Sequence, residues 1–124
     1  MISLKKLSEF IGISNELLLA VMIAHDVANN LKIDLVLTSG TDWIHSEKSD
    51  HYIGNAVDIR INKWTLDEKA HFIRNLKNQL NGDYFILEHK THIHISFRPS
   101  GDKRMSLYIQ ALKSKGYKII KDIN

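Results

Sequence analysis

The chain has no cysteine. A disulfide framework and thiolate-bound zinc are therefore excluded, and no redox compartment can be inferred. Long apolar runs are missing as well. The most hydrophobic window, Leu17 to Ala24, is too short to span a bilayer and ends in His25-Asp26. The start, Met1-Ile2-Ser3-Leu4-Lys5-Lys6, has no apolar stretch behind its basic residues. The expectation is a chain without signal peptide or membrane anchor, which reaches any extracytoplasmic substrate by another route. Nor does one sign of charge dominate. The formal net charge is +3, and the lysines and arginines are scattered apart from Lys5-Lys6 and Lys103-Arg104. That reads as a solvated surface, with no nucleic-acid footprint. Repeats, low-complexity tracts and linkers are absent.

What is present is ordinary globular composition, 44% apolar and 25% charged over 124 residues. This suffices for a single domain over 1–124 with its own core, expected to be a monomer. Ser3 is placed to cap a short helix with Leu4, Leu7 and Phe10 inward, stopped by Gly12. Ser14 or Asn15 starts a longer helix whose buried stripe is Leu17, Leu18, Val21, Met22, Val27, Ala28 and Leu31, with His25 beside it as a hydrogen-bonded core residue. Ile33 to Thr38 is a strand rich in branched residues. From Asn55 to Ile61 the pattern alternates: Val57, Ile59 and Ile61 face a core, while Ala56, Asp58 and Arg60 share an open face. Thr65-Leu66-Asp67-Glu68 is a capping box opening a helix from Leu66 to Leu80, with Ala70, Phe72, Ile73, Leu76 and Leu80 inward and His71 and Lys77 in water. Asp83 to Glu88 and His92 to Phe97 form a hairpin around His89-Lys90-Thr91, with His89 exposed in the turn. In it Ile93, Ile95 and Phe97 share one face and His92, His94 and Ser96 the other, with Glu88 and His92 as cross-strand neighbours on that polar face. A turn at Pro99–Asp102, a helix burying Met105, Tyr108, Ile109 and Leu112, and a last strand at Tyr117 to Ile120 complete the chain. The class is α+β, helices packed on a mostly antiparallel sheet, with the chemistry-bearing core at about 33–98.

The chemistry is concentrated in two segments. Ser49 to Arg60 and Glu88 to Ser96, with His45 just upstream, hold five of the seven histidines. Hydrolytic zinc sites take three ligands from His, Asp or Glu and leave a fourth position to water, whose pKa falls to about 7. His51, Asp58 and His94 offer such a set. The spacing alone leaves other readings open: surface residues, an Asp58–Arg60 ion pair, or a pH-sensitive histidine cluster. His92-Ile93-His94 is the stronger signal, because a His-x-His on a strand puts two imidazoles on one face.

Ser49, His51, Gly54, Ala56 and Asp58 match the S-x-H-x-x-G-x-A-x-D motif, and the first segment thereby resembles the D-Ala-D-Ala carboxypeptidase-like zinc peptidases (LAS enzymes). The second segment is similar to that group's closing His-x-His. The fuller pattern is that shared by the Hedgehog signalling domain and small phage or bacterial relatives. Its matches here are Thr38, Gly40, His45, Ser49, His51-Tyr52, Gly54, Ala56-Val57-Asp58-Ile59, Glu88, His92-Ile93-His94 and Ser96. The resemblance implies one zinc ion per chain, held by His51, Asp58 and His94. It implies Glu88 as general acid/base, His92 as a hydrogen-bonding catalytic group beside the metal, and His45 and Ser49 in supporting positions. It further implies a peptidase acting on the peptide stem of bacterial peptidoglycan, of phage or prophage type. A catalytically silent Hedgehog-like zinc-binding module is the alternative. The chain departs from the pattern after Ser39-Gly40, where Thr41-Asp42 replace an Arg that recognises a substrate carboxylate, leaving Arg60 or Arg98 for that role. The acidic calcium-binding clusters of animal Hedgehog domains are also missing.

Overall fold

A computed structural model describes residues 2–4, 14–39, 56–80, 82–97, 114 and 116–121. Among them lie β1 (Ile2–Leu4), α1 (Asn15–Asn30), β2 (Leu35–Ser39), β3 (Ala56–Arg60), α2 (Leu66–Gln79), β4 (Tyr84–Glu88), β5 (His92–Phe97) and β6 (Lys118–Lys121). His45, Ser49, His51, Arg98, the turn after Pro99 and the helix expected around Met105 to Leu112 fall outside the described residues.

The strands form one sheet in the order β1-β2-β3-β5-β4-β6. Among the described strands only β1 and β2 pair in parallel; the other neighbours are antiparallel. The α+β class with a mostly antiparallel sheet is therefore as expected. Ser3, read as a helix cap, instead lies in a strand, opposite Val36. Three residues of Ile-Ser-Leu type gain ladder hydrogen bonds along β2, a tertiary gain that outweighs weak local helix propensity.

The described helices α1 and α2 start where the sequence places them. Ser14 accepts from the backbone N–H of Leu17. Thr65 and Glu68 exchange reciprocal bonds, 3.1 Å from the Glu68 N–H to the Thr65 hydroxyl and 2.8 Å from the Thr65 N–H to the Glu68 carboxylate. Each bond satisfies an otherwise orphaned backbone donor. α1 ends in a Schellman arrangement. The N–H of Ile33 donates to the Ala28 carbonyl and that of Lys32 to Asn29, which requires Lys32 to adopt φ 57°.

The two described helices, α1 and α2, lie on one face of the sheet. Leu17, Ala20, Val21, Ala24, Val27 and Ala28 from α1, with Phe72 and Leu76 from α2, pack against Val57, Ile59, Ile86, Ile93 and Ile95. Leu18 and Met22, expected inward, are exposed at 49% and 55%. The smaller Ala20 and Ala24 take the sheet-facing positions, letting α1 approach closely. Ala70 is likewise exposed rather than inward. His25 is half-buried at the helix surface, 3.7 Å from Asp26, and is not a core residue.

Candidate functional site

The site lies on the second face of the sheet, over its two central strands, β3 and β5. In an antiparallel pair, directly opposed residues project to the same side. The β3–β5 register opposes Ala56 to Ser96, Asp58 to His94 and Arg60 to His92. The β4–β5 register adds Phe85 opposite Ser96 and Leu87 opposite His94. Asp58, His94 and Leu87 therefore form one row across three strands, with Arg60 and His92 in the next row. The strand parity read from sequence is correct here, but the face is not open. Asp58 is 7% exposed, His94 2%, and Ala56, Phe85, Leu87 and Ser96 are fully buried.

A carboxylate and an imidazole placed in such surroundings must satisfy each other. Asp58 Oδ1 lies 3.0 Å from His94 Nδ1. The other ring nitrogen of His94, Nε2, is bonded to the Ser96 hydroxyl. His92 approaches the same carboxylate, with Nε2 3.8 Å from Asp58 Oδ2. Its Nδ1 is 3.1 Å from the Thr91 hydroxyl and its Nε2 2.7 Å from the Tyr117 hydroxyl. Of the expected ligands the structure thus brings together Asp58 and His94, with His92 beside them. The third, His51, is outside the described residues. Among those described, no group of three His, Cys, Asp or Glu stands close enough to hold a metal ion.

Glu88 was expected beside His92 on this face, and its placement is corrected. The register opposes Glu88 to Ile93, which directs it to the helix side, where its carboxylate lies 2.9 Å from Lys69 Nζ of α2. The reason is the turn. The N–H of His89 donates to the His92 carbonyl over 2.8 Å, so His89 continues the ladder and only Lys90 and Thr91 form the connection. A register one step away from an 88-to-92 pairing moves every β4 side chain to the other face. The cross-strand neighbour of His92 is consequently His89, not Glu88. Their rings are 4.9 Å apart, and His89 is half-buried with a buried Nδ1, rather than exposed.

A second group missed in sequence is Tyr117, which packs 4.9 Å from His89, 5.4 Å from His92 and 6.0 Å from His94 between ring centroids. The only local signal for it is a lone tyrosine after Gly116, far along the chain from the histidines.

Beside His92 opens a pocket of about 260 Å³ lined by Thr38, Arg60, Asn62, Thr91 and His92. Thr38 reaches it through a bulge. Leu37 opposes Ile59 and Ser39 opposes Asp58, so β2 takes two steps where β3 takes one. Arg60, half-buried, lines this pocket and has no ion-pair or hydrogen-bond partner among the described residues.

Comparisons of the chain with protein-family models, with curated proteins and with solved structures return no match.

Proposed function

We propose that the chain is a zinc-dependent peptidase of the D-Ala-D-Ala carboxypeptidase-like kind, hydrolysing an amide bond in the peptide stem of bacterial peptidoglycan. The bond is D-Ala-D-Ala or L-Ala-D-Glu, and the setting is phage or prophage lysis or entry. One observation carries the reading: a buried aspartate carboxylate faces the Nδ1 of a buried histidine at 3.0 Å in the middle of a sheet.

The donors fit zinc. A carboxylate oxygen and an imidazole nitrogen are ligands this ion takes, and the Ser96 hydroxyl on the second ring nitrogen of His94 is the outer partner that ligating imidazoles use to fix their tautomer. Asp58 and His94 would hold the ion together with His51. Zinc there would supply the Lewis acidity that polarises a peptide carbonyl and acidifies water. The chain's own groups do the rest. His92 stands beside the Asp58 carboxylate with Nε2 bonded to the Tyr117 hydroxyl, and its imidazole can stabilise charge as it develops on the carbonyl oxygen. Leu87 and Phe85 keep water from the flank of the site. Arg60 offers a cation at the neighbouring pocket to a substrate carboxylate. For Glu88 to accept a proton on this face, its side chain has to leave Lys69 and cross the end of β4.

That last contact favours a second reading, a zinc-binding interaction module without hydrolysis. One experiment separates the two. Purified protein is incubated with peptidoglycan and zinc, with and without chelator, and new amines and fragment masses are measured. The peptidase reading expects chelator-sensitive amine release, lost in His94→Ala. Stoichiometric zinc without amine release selects the silent module, and neither zinc nor amine refutes both.

A further inference from the structure

The imidazole of His92 is gripped from both sides, and one of the grips comes from a distant part of the chain. Thr91, its neighbour in sequence, holds Nδ1 at 3.1 Å. Tyr117 holds Nε2 at 2.7 Å, on the nitrogen that also faces Asp58 Oδ2 at 3.8 Å. Tyr117 immediately precedes β6, whose pairing with β4 opposes Lys118 to Glu88 and Ile119 to Leu87. β6 therefore delivers the phenol to the end of the hairpin. The turn before it is made by Gly116 at φ 92°, a conformation closed to ordinary L-residues. The ring is wedged among His89, His92 and His94, so the hydroxyl has little freedom to leave.

We infer that Tyr117 is a positioning residue of the site: its hydroxyl fixes the orientation and tautomer of the His92 imidazole beside Asp58. A neutral imidazole carries one N–H and one lone pair, and a hydroxyl on each nitrogen accommodates either assignment. The Thr91 hydroxyl sits on an exposed turn residue and competes with water. The Tyr117 hydroxyl is half-buried among rings, so it is the partner that holds the ring still. Without it, Nε2 loses this hydrogen bond and the ring gains freedom to turn. Misorientation of a catalytic group by a fraction of its length costs on the order of 10–100-fold in rate.

The inference rests on the peptidase reading only for its kinetic arm, and its spectroscopic arm stands without it. The full ¹⁵N-labelled chain, in chelator, is compared with Tyr117→Phe by long-range ¹H–¹⁵N correlation of the imidazole nitrogens, with His92→Gln assigning the His92 signals. The wild type is expected to show the separated nitrogen shifts of one tautomer. Tyr117→Phe is expected to move them toward the average of two, with the far-UV circular dichroism of the folded chain unchanged. Where amine release is measurable, kcat falls on the order of 10–100-fold and KM stays constant. His92 signals that are the same in both proteins overturn the inference even if no peptidase activity exists. An unchanged kcat in an active enzyme overturns it too. Should Tyr117→Phe fail to fold, Gly116→Ala, strained at φ 92°, perturbs the turn that delivers the phenol and carries the same spectroscopic test.

Discussion

Replacing Asp58 separates two jobs assigned to one carboxylate: accepting a hydrogen bond from His94 and, with zinc present, ligating the ion. In chelator, Asp58→Ala leaves Nδ1 of a His94 that is 2% exposed without its acceptor, at a cost of about 1–3 kcal/mol. Asp58→Asn keeps an oxygen in place and is expected to cost less than about 1 kcal/mol. Zinc then adds the second term. At 100 times its Kd, an ion that binds only the folded chain stabilises it by about 2.7 kcal/mol. If Asp58→Asn raises that Kd about 100-fold, the same zinc concentration returns only about 0.4 kcal/mol. The assay is urea unfolding followed by far-UV circular dichroism, with chelator and with zinc, for wild type and both variants. The slope with urea should stay constant, so that midpoints report stability. An equal zinc increment in wild type and Asp58→Asn refutes ligation by Asp58. An Asp58→Ala protein as stable as wild type in chelator refutes the claim that the carboxylate satisfies His94.

Three further outcomes are expected. The Lys69–Glu88 contact is partly buried, so a double-mutant cycle with Lys69→Met and Glu88→Gln should return a coupling of about 0.5–1 kcal/mol by chemical denaturation, and no coupling would mean Glu88 does not rest on α2. Burial, then the Glu16 and Asp83 carboxylates, raise the Tyr84 phenol above its ordinary 10.0. The folded chain thus keeps a proton that the unfolded chain loses, so this contribution is intact below about pH 10 and disappears as pH rises through the raised value. Tyr84→Phe should flatten that alkaline loss, while costing about 1 kcal/mol at neutral pH through the bond to the Glu16 carbonyl. Lys32→Gly at φ 57° should raise stability by about 1 kcal/mol in the same urea assay, because the left-handed conformation is free of cost only for glycine.

The chain alone determined whatever depends on neighbours a few residues apart. The Thr65–Glu68 box, the Ser14 cap and the alternation from Ala56 to Arg60 are local physics, and each appears where the residues put it. So does the shared face of Asp58, Arg60, His92 and His94, because side-chain parity within a strand has a fixed period of two. Tertiary structure decided whatever depends on register and on chain-distant partners. Whether Glu88 or His89 stands opposite His92 turns on one residue of hairpin register, which the turn selects. That step sends Glu88 to Lys69. It also required tertiary pairing to turn Ile2–Leu4 into a strand and to bring Tyr117 onto His92, since no periodicity links residues so far apart in sequence. The histidine-rich segments supplied the ingredients of a site; the sheet register decided which of them face one another.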